Sequence, residues 1–541
     1  MISSLDSQGG FFVRLLHAKD VAYPIGDRNL FQIPELSIHS GERIGLVGRN
    51  GQGKSMLLKY LLGMFGEESI VEQKGQIGYF KQLNDENQVD SHLSGGEKTM
   101  QKLAELFSES ARIWFLDEPS NNLDWDRVEE LEERLLTIDG AMVIVSHDRA
   151  LLDKVCNRIW ELEKGTLTEY NGNYSFYQQK KELEIKQQYQ AHESYVKEKK
   201  RLEGRMLQKQ QQASGMRKPP SRMGNSEWQL YKNKAAGKQK KVERVSKNIQ
   251  KRLERLEKVE KPEEWESIQM DYNLLSPIHR RNILMAEELS KSIGERTLYS
   301  IPSIKLKTGS KTAIIGGNGV GKTTLINQLL SGDPSIDLSN NIKVGQFDQA
   351  IEKLPIEPSI YEYVEEGSHL PEHVIRAILG RMYFKGETVY KPIHVLSGGE
   401  RVKVALAKLL VGDYNLLVLD EPTNHLDIHA LQAVEGLIKD YPGTVLLVSH
   451  DRTFVEEVAD CLWIVEDETV RTFQGSLQEF EESLEKPTFQ ATNDDQVALL
   501  TLENKLTDVI SRLSLLKPQE DKEALEKEYE ELVQKIRALK N

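Results

Sequence analysis

Short apolar runs recur along the chain, and each is followed by a turn or a polar segment. Ile44–Val47 and Ala313–Ile315 each precede a glycine-rich loop, and Leu416–Leu419 ends at an aspartate. Continuous apolar runs of this length are typical of strands that are buried on both faces of a parallel sheet. After the first glycine-rich loop, leucines at 57, 58, 61 and 62 recur at helical spacing. The pattern therefore predicts an α/β fold in which strands and helices alternate.

This pattern occurs twice. Residues 18–48 align without a gap with residues 286–316, at an offset of 268 residues. Such an offset is too long for a solenoid repeat and indicates a duplicated domain. We predict a first domain at 1–177, a helical linker at 178–270, a second domain at 271–490 and a helical C-terminal extension at 491–541.

Each copy contains a loop of the form GxxxxGK[ST], at Gly48–Ser55 and at Gly316–Thr323. Glycines allow backbone N–H groups to converge on phosphate oxygens where a side chain would clash. The lysine then reaches the β- and γ-phosphates, and the next hydroxyl binds Mg²⁺. One such pattern can arise by chance in a glycine-rich loop, but two at a constant offset predict two ATP sites. The candidate residues are Gly48, Asn50, Gly51, Gly53, Lys54, Ser55, Gly316, Asn318, Gly319, Gly321, Lys322, Thr323 and Thr324.

An Asp-Glu pair follows an apolar strand in each copy. Asp117 and Asp420 stand at the ends of these strands, where ligands of open α/β sheets bind. We expect each aspartate to hold Mg²⁺ together with the loop hydroxyl of its own copy. Glu118 and Glu421 follow directly, and a carboxylate at this place can orient the water that attacks the γ-phosphate.

Further motifs resemble those of the ATP-binding-cassette (ABC) family of ATPases. LSGGE at 93–97 and at 396–400 resembles the ABC signature, and NNLD at 121–124 and NHLD at 424–427 resemble the D-loop. In ABC proteins, the signature of one domain binds the γ-phosphate held by the other domain. The resemblance thus implies two composite sites, which ATP closes and hydrolysis opens.

The same resemblance implies roles for single side chains. SHDR at 146–149 and at 449–452 is similar to the switch motif, and Gln82 and Gln349 match the Q-loop glutamine. Tyr23 lies about 25 residues before its loop and is placed to stack on adenine, whereas the second copy has Lys291 there. The catalytic candidates are Glu118, Glu421, His147, His450, Gln82 and Gln349. The metal candidates are Ser55, Gln82, Asp117, Thr323, Gln349 and Asp420. The signature candidates are Ser94, Gly95, Gly96, Glu97, Ser397, Gly398, Gly399 and Glu400.

The segment between the copies has the composition of a charged helical hairpin. Residues 178–210 and 236–260 are rich in Gln, Lys and Glu and contain few helix breakers, which predicts two antiparallel helices. Glycines and the tandem Pro219-Pro220 interrupt the pattern, so we predict an irregular tip at about 211–235. A helix of about 30 residues is about 45 Å long, so this hairpin can reach far from the ATPase domains.

Charge is distributed unevenly along the chain. The net charge is −13, yet residues 181–260 hold 22 Lys or Arg and 10 Asp or Glu. Between 205 and 241 there are ten basic residues and one acidic residue, which favours RNA as a partner. The alternatives are an ordinary solvated helix face for the charges and packing between the helices for the aromatic residues. The RNA-binding candidates are Met216, Arg217, Lys218, Arg222, Met223, Trp228, Tyr231, Lys232, Lys234 and Lys238.

Composition argues against several other classes of protein. No apolar run approaches the roughly 18 to 20 residues of a membrane helix. The two cysteines, Cys156 and Cys461, lie in different halves, which excludes a disulfide framework and a cysteine-based metal site. The polar N-terminal sequence does not resemble a secretory signal. We therefore expect a cytoplasmic protein with no membrane partner.

Two cassettes joined by a charged helical linker resemble the ABC-F family, whose members act on ribosomes. Four stretches are similar to the Vga-type antibiotic-resistance branch, namely GNYSFY at 172–177, AAGKQKK at 235–241, RLERLEKVEK at 252–261 and VLSGGERVKVAL at 395–406. The resemblance implies that the ATP-bound protein enters the exit site of the bacterial 70S ribosome. The linker tip would then lie near the peptidyl transferase centre, contact 23S rRNA and P-site tRNA, and displace lincosamides, pleuromutilins or group A streptogramins. No DNA partner is expected, and the expected state is a monomer with its two ATPase domains paired.

One spacing distinguishes the branches of the family. Gln82 and Ser94 are 12 residues apart, whereas Gln349 and Ser397 are 48 apart. The first copy therefore has no room for the arm that housekeeping ABC-F factors often carry, which favours a resistance role. A housekeeping translation factor and a soluble transporter subunit are the alternatives. DNA maintenance is disfavoured because the C-terminal tail is mixed in charge.

Overall fold

The computed structural model describes residues 13–26, 28–65, 70–81, 95–108, 110–121, 123–215, 225–261, 280–294, 296–347, 354–424 and 426–485. At residues 28, 70, 95, 215, 225–235 and 485 it describes only the backbone.

The first copy forms an α/β domain with two sheets. Its elements are β1 (Arg14–Ile25), β2 (Arg28–His39), β3 (Arg43–Val47), α1 (Lys54–Leu61), β4 (Ile70–Gln73), β5 (Ile77–Phe80), α2 (Gly95–Phe107), β6 (Ile113–Asp117), α3 (Trp125–Thr137), β7 (Ala141–Val145), α4 (Arg149–Val155), β8 (Arg158–Glu163) and β9 (Thr166–Asn171). The larger sheet has the order β5-β6-β7-β3-β8-β9, and only β9 runs antiparallel to its neighbour. The smaller sheet, β2-β1-β4, is antiparallel.

The second copy repeats this arrangement. Its elements are β10 (Asn282–Ile293), β11 (Arg296–Lys307), β12 (Lys311–Ile315), α7 (Lys322–Leu329), β13 (Ile336–Leu338), β14 (Val344–Phe347), α8 (Ile360–Glu365), α9 (Glu372–Arg381), α10 (Gly398–Val411), β15 (Leu416–Asp420), α11 (Ile428–Asp440), β16 (Thr444–Val448), α12 (Arg452–Val458), β17 (Cys461–Glu466) and β18 (Thr469–Gln474). The sheet orders are β14-β15-β16-β12-β17-β18 and β11-β10-β13. The helices α8 and α9, with two short 3-10 helices at Gly386–Tyr390 and Ile393–Val395, occupy the longer stretch before the second signature.

The central strands explain why the motifs meet at one edge of each sheet. Every residue of β6, β7, β15 and β16 is buried, as expected for parallel strands covered by helices on both faces. Burying one large aliphatic side chain stabilises a fold by about 1.5–3 kcal/mol, so these apolar runs fix the strands firmly. The loops that follow their carboxyl ends carry the acidic residues and the switch motifs described below. The buried strands of each sheet thus hold these motifs at one edge.

The linker consists of two long helices, α5 (Tyr174–Gly215) and α6 (Asn225–Glu254). They run antiparallel, because His192 Nδ1 lies 2.9 Å from the Val259 carbonyl oxygen and Glu198 lies 3.4 Å from Arg252. The structure differs from the predicted irregular tip at 211–235, since residues 211–215 and 225–235 are helical. Good helix formers on both sides extend the helices up to the glycine and proline residues that were expected to break them.

A buried carboxylate anchors α5 to the first domain. Glu161, on β8, is 3% exposed. Tyr177 and Tyr170 donate hydrogen bonds to it through their hydroxyl groups at 2.8 and 3.2 Å, and Lys181 donates at 2.8 Å. These donors satisfy the carboxylate, so its burial is compatible with a stable fold. We call Glu161 and these three donors the linker anchor.

Residues 477–541 form a separate unit, of which the structure describes one helix, α13 (Leu477–Glu485). The predicted C-terminal extension at 491–541 lies outside the described residues. Within the described part of the chain, no helix combines the length and the apolar character that crossing a membrane requires.

Candidate ATP sites

Each glycine-rich loop closes around the lysine that follows it. Lys54 Nζ donates to the Gly48 carbonyl at 2.6 Å, and Lys322 Nζ donates to the Gly316 and Gly317 carbonyls at 2.9 and 2.8 Å. Burial lowers the pKa of both lysines, although nearby acidic groups such as Glu118 and Glu421 raise it. The amino groups are thus held at the N-termini of α1 and α7, where backbone N–H groups and the helix dipole favour an anion.

Left-handed backbone at the ends of these loops requires glycine. Gly53 and Gly321 have φ angles of 98° and 101° and form the N-caps of α1 and α7. A Cβ atom at Gly53 would lie 2.6 Å from Leu30 Cδ2. The second glycine of each GxxxxGK[ST] pattern is therefore explained by conformation and by space.

Both sites pair a hydroxyl with a carboxylate. Thr323 Oγ1 donates to Asp420 Oδ2 at 2.8 Å, and a hydrogen bond from Ser55 lowers the pKa of Asp117, although burial raises it more strongly. Asp117 is 3% exposed, and its Oδ1 atom has no protein partner among the described residues. Buried oxygen ligands of this kind fit Mg²⁺, which usually keeps several waters and binds one or two carboxylates beside phosphates.

The glutamates that follow are held in strained backbone conformations. Glu118 and Glu421 have φ angles of 52° and 50°, which are uncommon for residues other than glycine and cluster at functional sites. Burial raises the pKa of each glutamate to about 8, although the loop lysine of the same site lowers it. Perturbed carboxyl groups in a cavity are typical of catalytic acids and bases.

The switch histidines contact these glutamates. The backbone N–H groups of His147 and His450 donate to Glu118 Oε2 and Glu421 Oε2 at 3.4 and 3.3 Å. Burial lowers the pKa of His147 to about 3 and that of His450 to about 4. Both rings are therefore neutral at physiological pH, so each can donate one hydrogen bond and accept another.

The two domains are joined by reciprocal hydrogen bonds from the glycine-rich loops to the D-loops. The Asn50 N–H donates to Asp427 Oδ2, and the Asn318 N–H donates to Asp124 Oδ2, both at 3.0 Å. The other oxygen of each aspartate caps its own helix by accepting from Ala430 N–H or Arg127 N–H. One carboxylate thus fixes a helix and the opposite phosphate loop at the same time.

One cavity of about 1600 Å³ contains both glycine-rich loops, both Asp-Glu pairs and residues of both signatures. We call the half that contains Lys54 and Ser397–Glu400 site 1, and the half that contains Lys322 and the first signature site 2. In site 1, Ser397 caps α10 in a capping box with Glu400, and the N-terminus of this helix lines the cavity together with the loop of the other domain. In site 2, the structure describes Gly95, Gly96 and Glu97 of the signature, and Gly96 lines the cavity.

Tyr23 contacts Phe31 and Phe65, with ring centroids 6.0 and 4.9 Å apart, and is absent from the described cavity lining. The apolar lining beside each loop consists instead of Ile25 and Leu30 in site 1 and of Ile293 and Leu298 in site 2. These two pairs stand at the same offset of 268 residues as the loops, so the repeat itself contained the signal that would have identified them.

Several predicted site residues cannot be placed. Those outside the described residues are Gln82, Gln349, Ser94, Met216, Arg217, Lys218, Arg222 and Met223. Trp228, Tyr231, Lys232 and Lys234 lie on α6, and only their backbone is described. Lys238 is exposed on the same helix.

Comparison with known proteins connects this geometry to a family. A family model described as "ABC transporter" matches residues 31–87 and 299–424. The ribosome protection protein VmlR of Bacillus subtilis (strain 168) is 30% identical over 96% of this chain and 97% of its own length. The chain belongs to the ABC-F family of ATPases. This confirms the predicted family, the fold of two ABC domains with a long helical insertion, and ATP hydrolysis as the reaction.

Two further relatives and one solved structure are also similar to this chain. The erythromycin resistance ATP-binding protein MsrA of Staphylococcus epidermidis is 34% identical over 82% of this chain and 96% of its length. The energy-dependent translational throttle protein EttA of Haemophilus influenzae is 33% identical over 72% of this chain and 67% of its length. The solved archaeal ribosome recycling factor aABCE1, in complex with the stalk protein aP1, has a TM-score of 0.55 and 19% identity over 86% of this chain and 92% of its own. At that identity the likeness shows the fold alone.

Proposed function

We propose that each composite site hydrolyses MgATP with the same division of labour. Lys54 and Lys322 bind the β- and γ-phosphates in place of the loop carbonyls, and Glu118 and Glu421 accept a proton from the attacking water. When bound beside Asp117 or Asp420, Mg²⁺ supplies charge neutralisation for the phosphates. The neutral His147 and His450 orient the water and the γ-phosphate, and Gln82 and Gln349 complete the proposed sites.

The reciprocal D-loop hydrogen bonds support a coupling of chemistry to closure. Asn50 and Asn318 belong to the phosphate loops, so a loop that carries nucleotide presents an ordered N–H group to the opposite domain. Closure then brings the N-terminus of the opposite signature helix to the γ-phosphate. Loss of that phosphate removes the group both domains bind, so hydrolysis favours separation.

We infer that this ATPase acts on the bacterial 70S ribosome and protects it from antibiotics. The observation that carries this proposal is the match to VmlR, which extends over 96% of this chain and so includes the linker. MsrA, named for erythromycin resistance, supports the same conclusion. In this proposal the ATP-bound protein enters the exit site, and the linker displaces a lincosamide, a pleuromutilin or a group A streptogramin at the peptidyl transferase centre.

The linker is the proposed effector. The linker anchor holds the base of α5, α6 runs antiparallel to α5, and Lys238 on α6 is exposed. Exposed lysines and arginines neutralise phosphates and make binding depend strongly on salt. We propose that Met216–Met223, Trp228 and the lysines on α6 contact 23S rRNA or P-site tRNA, either directly at the drug or by shifting rRNA.

The decisive experiment is ribosome pelleting. The double variant Glu118→Gln with Glu421→Gln retains the shape of both sites but lacks the proton acceptor, so we expect it to pellet with 70S ribosomes through a sucrose cushion when ATP is present. Adding Lys54→Ala and Lys322→Ala removes phosphate binding and serves as the matched control, which is expected to stay in the supernatant. Equal pelleting of both variants, or of neither, would contradict the proposal.

A second experiment distinguishes resistance from a housekeeping role in translation. The likeness to EttA supports the housekeeping role as the alternative. The wild-type chain is expressed in a drug-sensitive Gram-positive host, and the inhibitory concentrations of the three drug classes are measured. Resistance is expected with the wild type and is expected to disappear when residues 216–223 are replaced by Gly and Ser. Ribosome binding without any change in drug sensitivity would favour a translation factor.

A further inference from the structure

The two ATP sites differ in the cations that surround them. Among the described residues that line the shared cavity, the Lys and Arg side chains are Arg49, Lys54, Lys322 and Lys403. Arg49 and Lys54 belong to the loop of site 1. Lys403 lies on α10, three residues after the last residue of the signature of that site. Only Lys322 belongs to the loop of site 2. Because MgATP is an anion, this distribution favours nucleotide at site 1.

The additional cations form a stack that crosses the domain interface. The Arg49 guanidinium carbon lies 4.3 Å from the ring centroid of Tyr383 in the second domain. Lys403 Nζ lies 5.9 Å from the same centroid and 5.6 Å from that of Phe384. Burial lowers the pKa of Lys403, while the charges of Asp427 and Glu400 raise it. Cations within about 6 Å of an aromatic face are attracted to it, most strongly where water is excluded.

The backbone of Tyr383 is strained to reach this position. Its φ angle is 69°, in a region that bulky side chains rarely adopt. The hydrogen bonds from Tyr383 N–H to the Gly380 carbonyl and from Phe384 N–H to the Leu379 carbonyl, both 2.9 Å, hold the turn. Strain that the surrounding structure maintains is a mark of a functional position.

Among the residues that the structure describes, site 2 has no equivalent stack. The repeat aligns Arg49 with Gly317, and the signature helices align Lys403 with Met100. No residue aligns with Tyr383, since the first copy is shorter by 36 residues between the Q-loop and the signature. The helices that follow the two D-loops also differ at their second residue. In the second copy this residue is His429, which lies near Tyr383, and in the first copy it is Asp126.

We propose that Arg49, Tyr383 and Lys403 make site 1 the retaining site, which holds its nucleotide more tightly and releases it more slowly than site 2. The contact between Arg49 and Tyr383 joins the two domains, so it opposes the opening of site 1 specifically. Site 2, which lacks the stack, opens first and exchanges nucleotide. These are positioning residues that act on closure rather than on the reacting phosphate. The inference depends on the ATPase activity of the chain and is independent of the proposed ribosomal role.

The test measures nucleotide release from the full-length protein without ribosomes. The Glu118→Gln/Glu421→Gln protein is loaded with a fluorescent ATP analogue and Mg²⁺ and then chased with excess ATP. We expect a slow and a fast phase, and Lys322→Ala is expected to abolish the fast phase and thereby assign the slow one to site 1. Arg49→Ala, Lys403→Met and Tyr383→Leu should each accelerate the slow phase by about 3- to 30-fold without changing the fast phase.

Conservative variants separate stacking from folding. Arg49→Lys and Tyr383→Phe retain a cation and a ring and are expected to keep most of the slow release. Arg376→Ala is the matched control, because Arg376 stacks 5.0 Å from Tyr361 outside the cavity and should leave both phases unchanged. A single release phase, an unchanged slow phase in Arg49→Ala, or equal acceleration of both phases would overturn the proposal. Each of these results would leave the ribosome experiments unaffected.

Discussion

A buried ion pair across the domain interface offers a direct test of how closure is stabilised. Arg149, the last residue of the switch motif of the first domain, donates from Nη1 and Nη2 to the two carboxylate oxygens of Glu435 on α11 of the second domain. Both residues are 6% exposed. Burial lowers the pKa of Arg149, but hydrogen bonding to Glu435 and nearby negative charges raise it above its usual range, so the guanidinium stays charged.

We predict that Glu435→Gln and Arg149→Met weaken ATP-driven closure. Removing one partner of a buried ion pair leaves an uncompensated charge, which costs about 3–5 kcal/mol. Glu435→Gln keeps one hydrogen-bond acceptor, so its cost should lie below that range, at about 1.5–3 kcal/mol. In separated domains both side chains are solvated, so the cost falls on closure. The ATP concentration for half-maximal closure should rise about 10- to 100-fold for Glu435→Gln.

Closure is measured by energy transfer between dyes on the two domains, in the Glu118→Gln/Glu421→Gln background. Arg149→Met combined with Glu435→Leu should close more readily than either single variant, because replacing a buried pair by apolar groups is often neutral. Glu132→Gln is the control, since Glu132 occupies the corresponding position of the first domain but pairs with Lys154 of the same domain at 2.7 Å. If Glu435→Gln closes at the wild-type ATP concentration, or if the double variant is worse than both single ones, the reasoning fails.

Three further predictions concern the ATP sites. The kcat/KM for ATP should rise about tenfold between pH 7 and pH 9, because Glu118 and Glu421 have pKa values of about 8 in the free protein and act when deprotonated. Steady-state assays across this pH range measure the rise, and a plateau of kcat/KM below pH 7 would contradict the prediction. Gly53→Ala should lower the free energy of unfolding by about 1–3 kcal/mol more than Gly51→Ala in denaturant titrations, because both have positive φ but only Gly53 lacks room for a Cβ atom. Thr323→Val should raise the Mg²⁺ concentration for half-maximal ATPase activity by about tenfold, since it removes the hydroxyl bonded to Asp420; Thr323→Ser should restore the wild-type value, and equal values in both variants would refute the assignment.

The sequence predicted the parts of this protein that depend on local patterns. The apolar runs before Gly48 and Gly316 are strands in the structure, and each loop leads into a helix at Lys54 or Lys322. These elements follow from rules that involve only residues close together in the sequence. Apolar runs form buried strands, and left-handed turns need glycine. The same rules held for the second copy because the offset transferred each assignment to it.

Contacts between distant residues were beyond such rules. Arg49 meets Tyr383 only because two domains close on each other, and Tyr383 lies in the stretch that has no counterpart in the first copy. Tyr23 packs on Phe31 and Phe65, and its stacking on adenine stays a prediction. Within the predicted tip at 211–235, residues 211–215 and 225–235 are helical, because the helix propensity of neighbouring residues can carry a helix close to glycine and proline.

The linker anchor also relates a small tilt at the base of α5 to a large displacement of its far end. Glu161 lies opposite Val47 in the pairing of β8 with β3, directly before the phosphate loop, and it holds the base of a helix of 42 residues. At about 1.5 Å per residue this helix is about 63 Å long, so a tilt of about 5° at its base moves its far end by about 5 Å. A readjustment beside the phosphates that is too small to disturb the sheet would therefore displace the end of the lever by roughly the pitch of one helical turn.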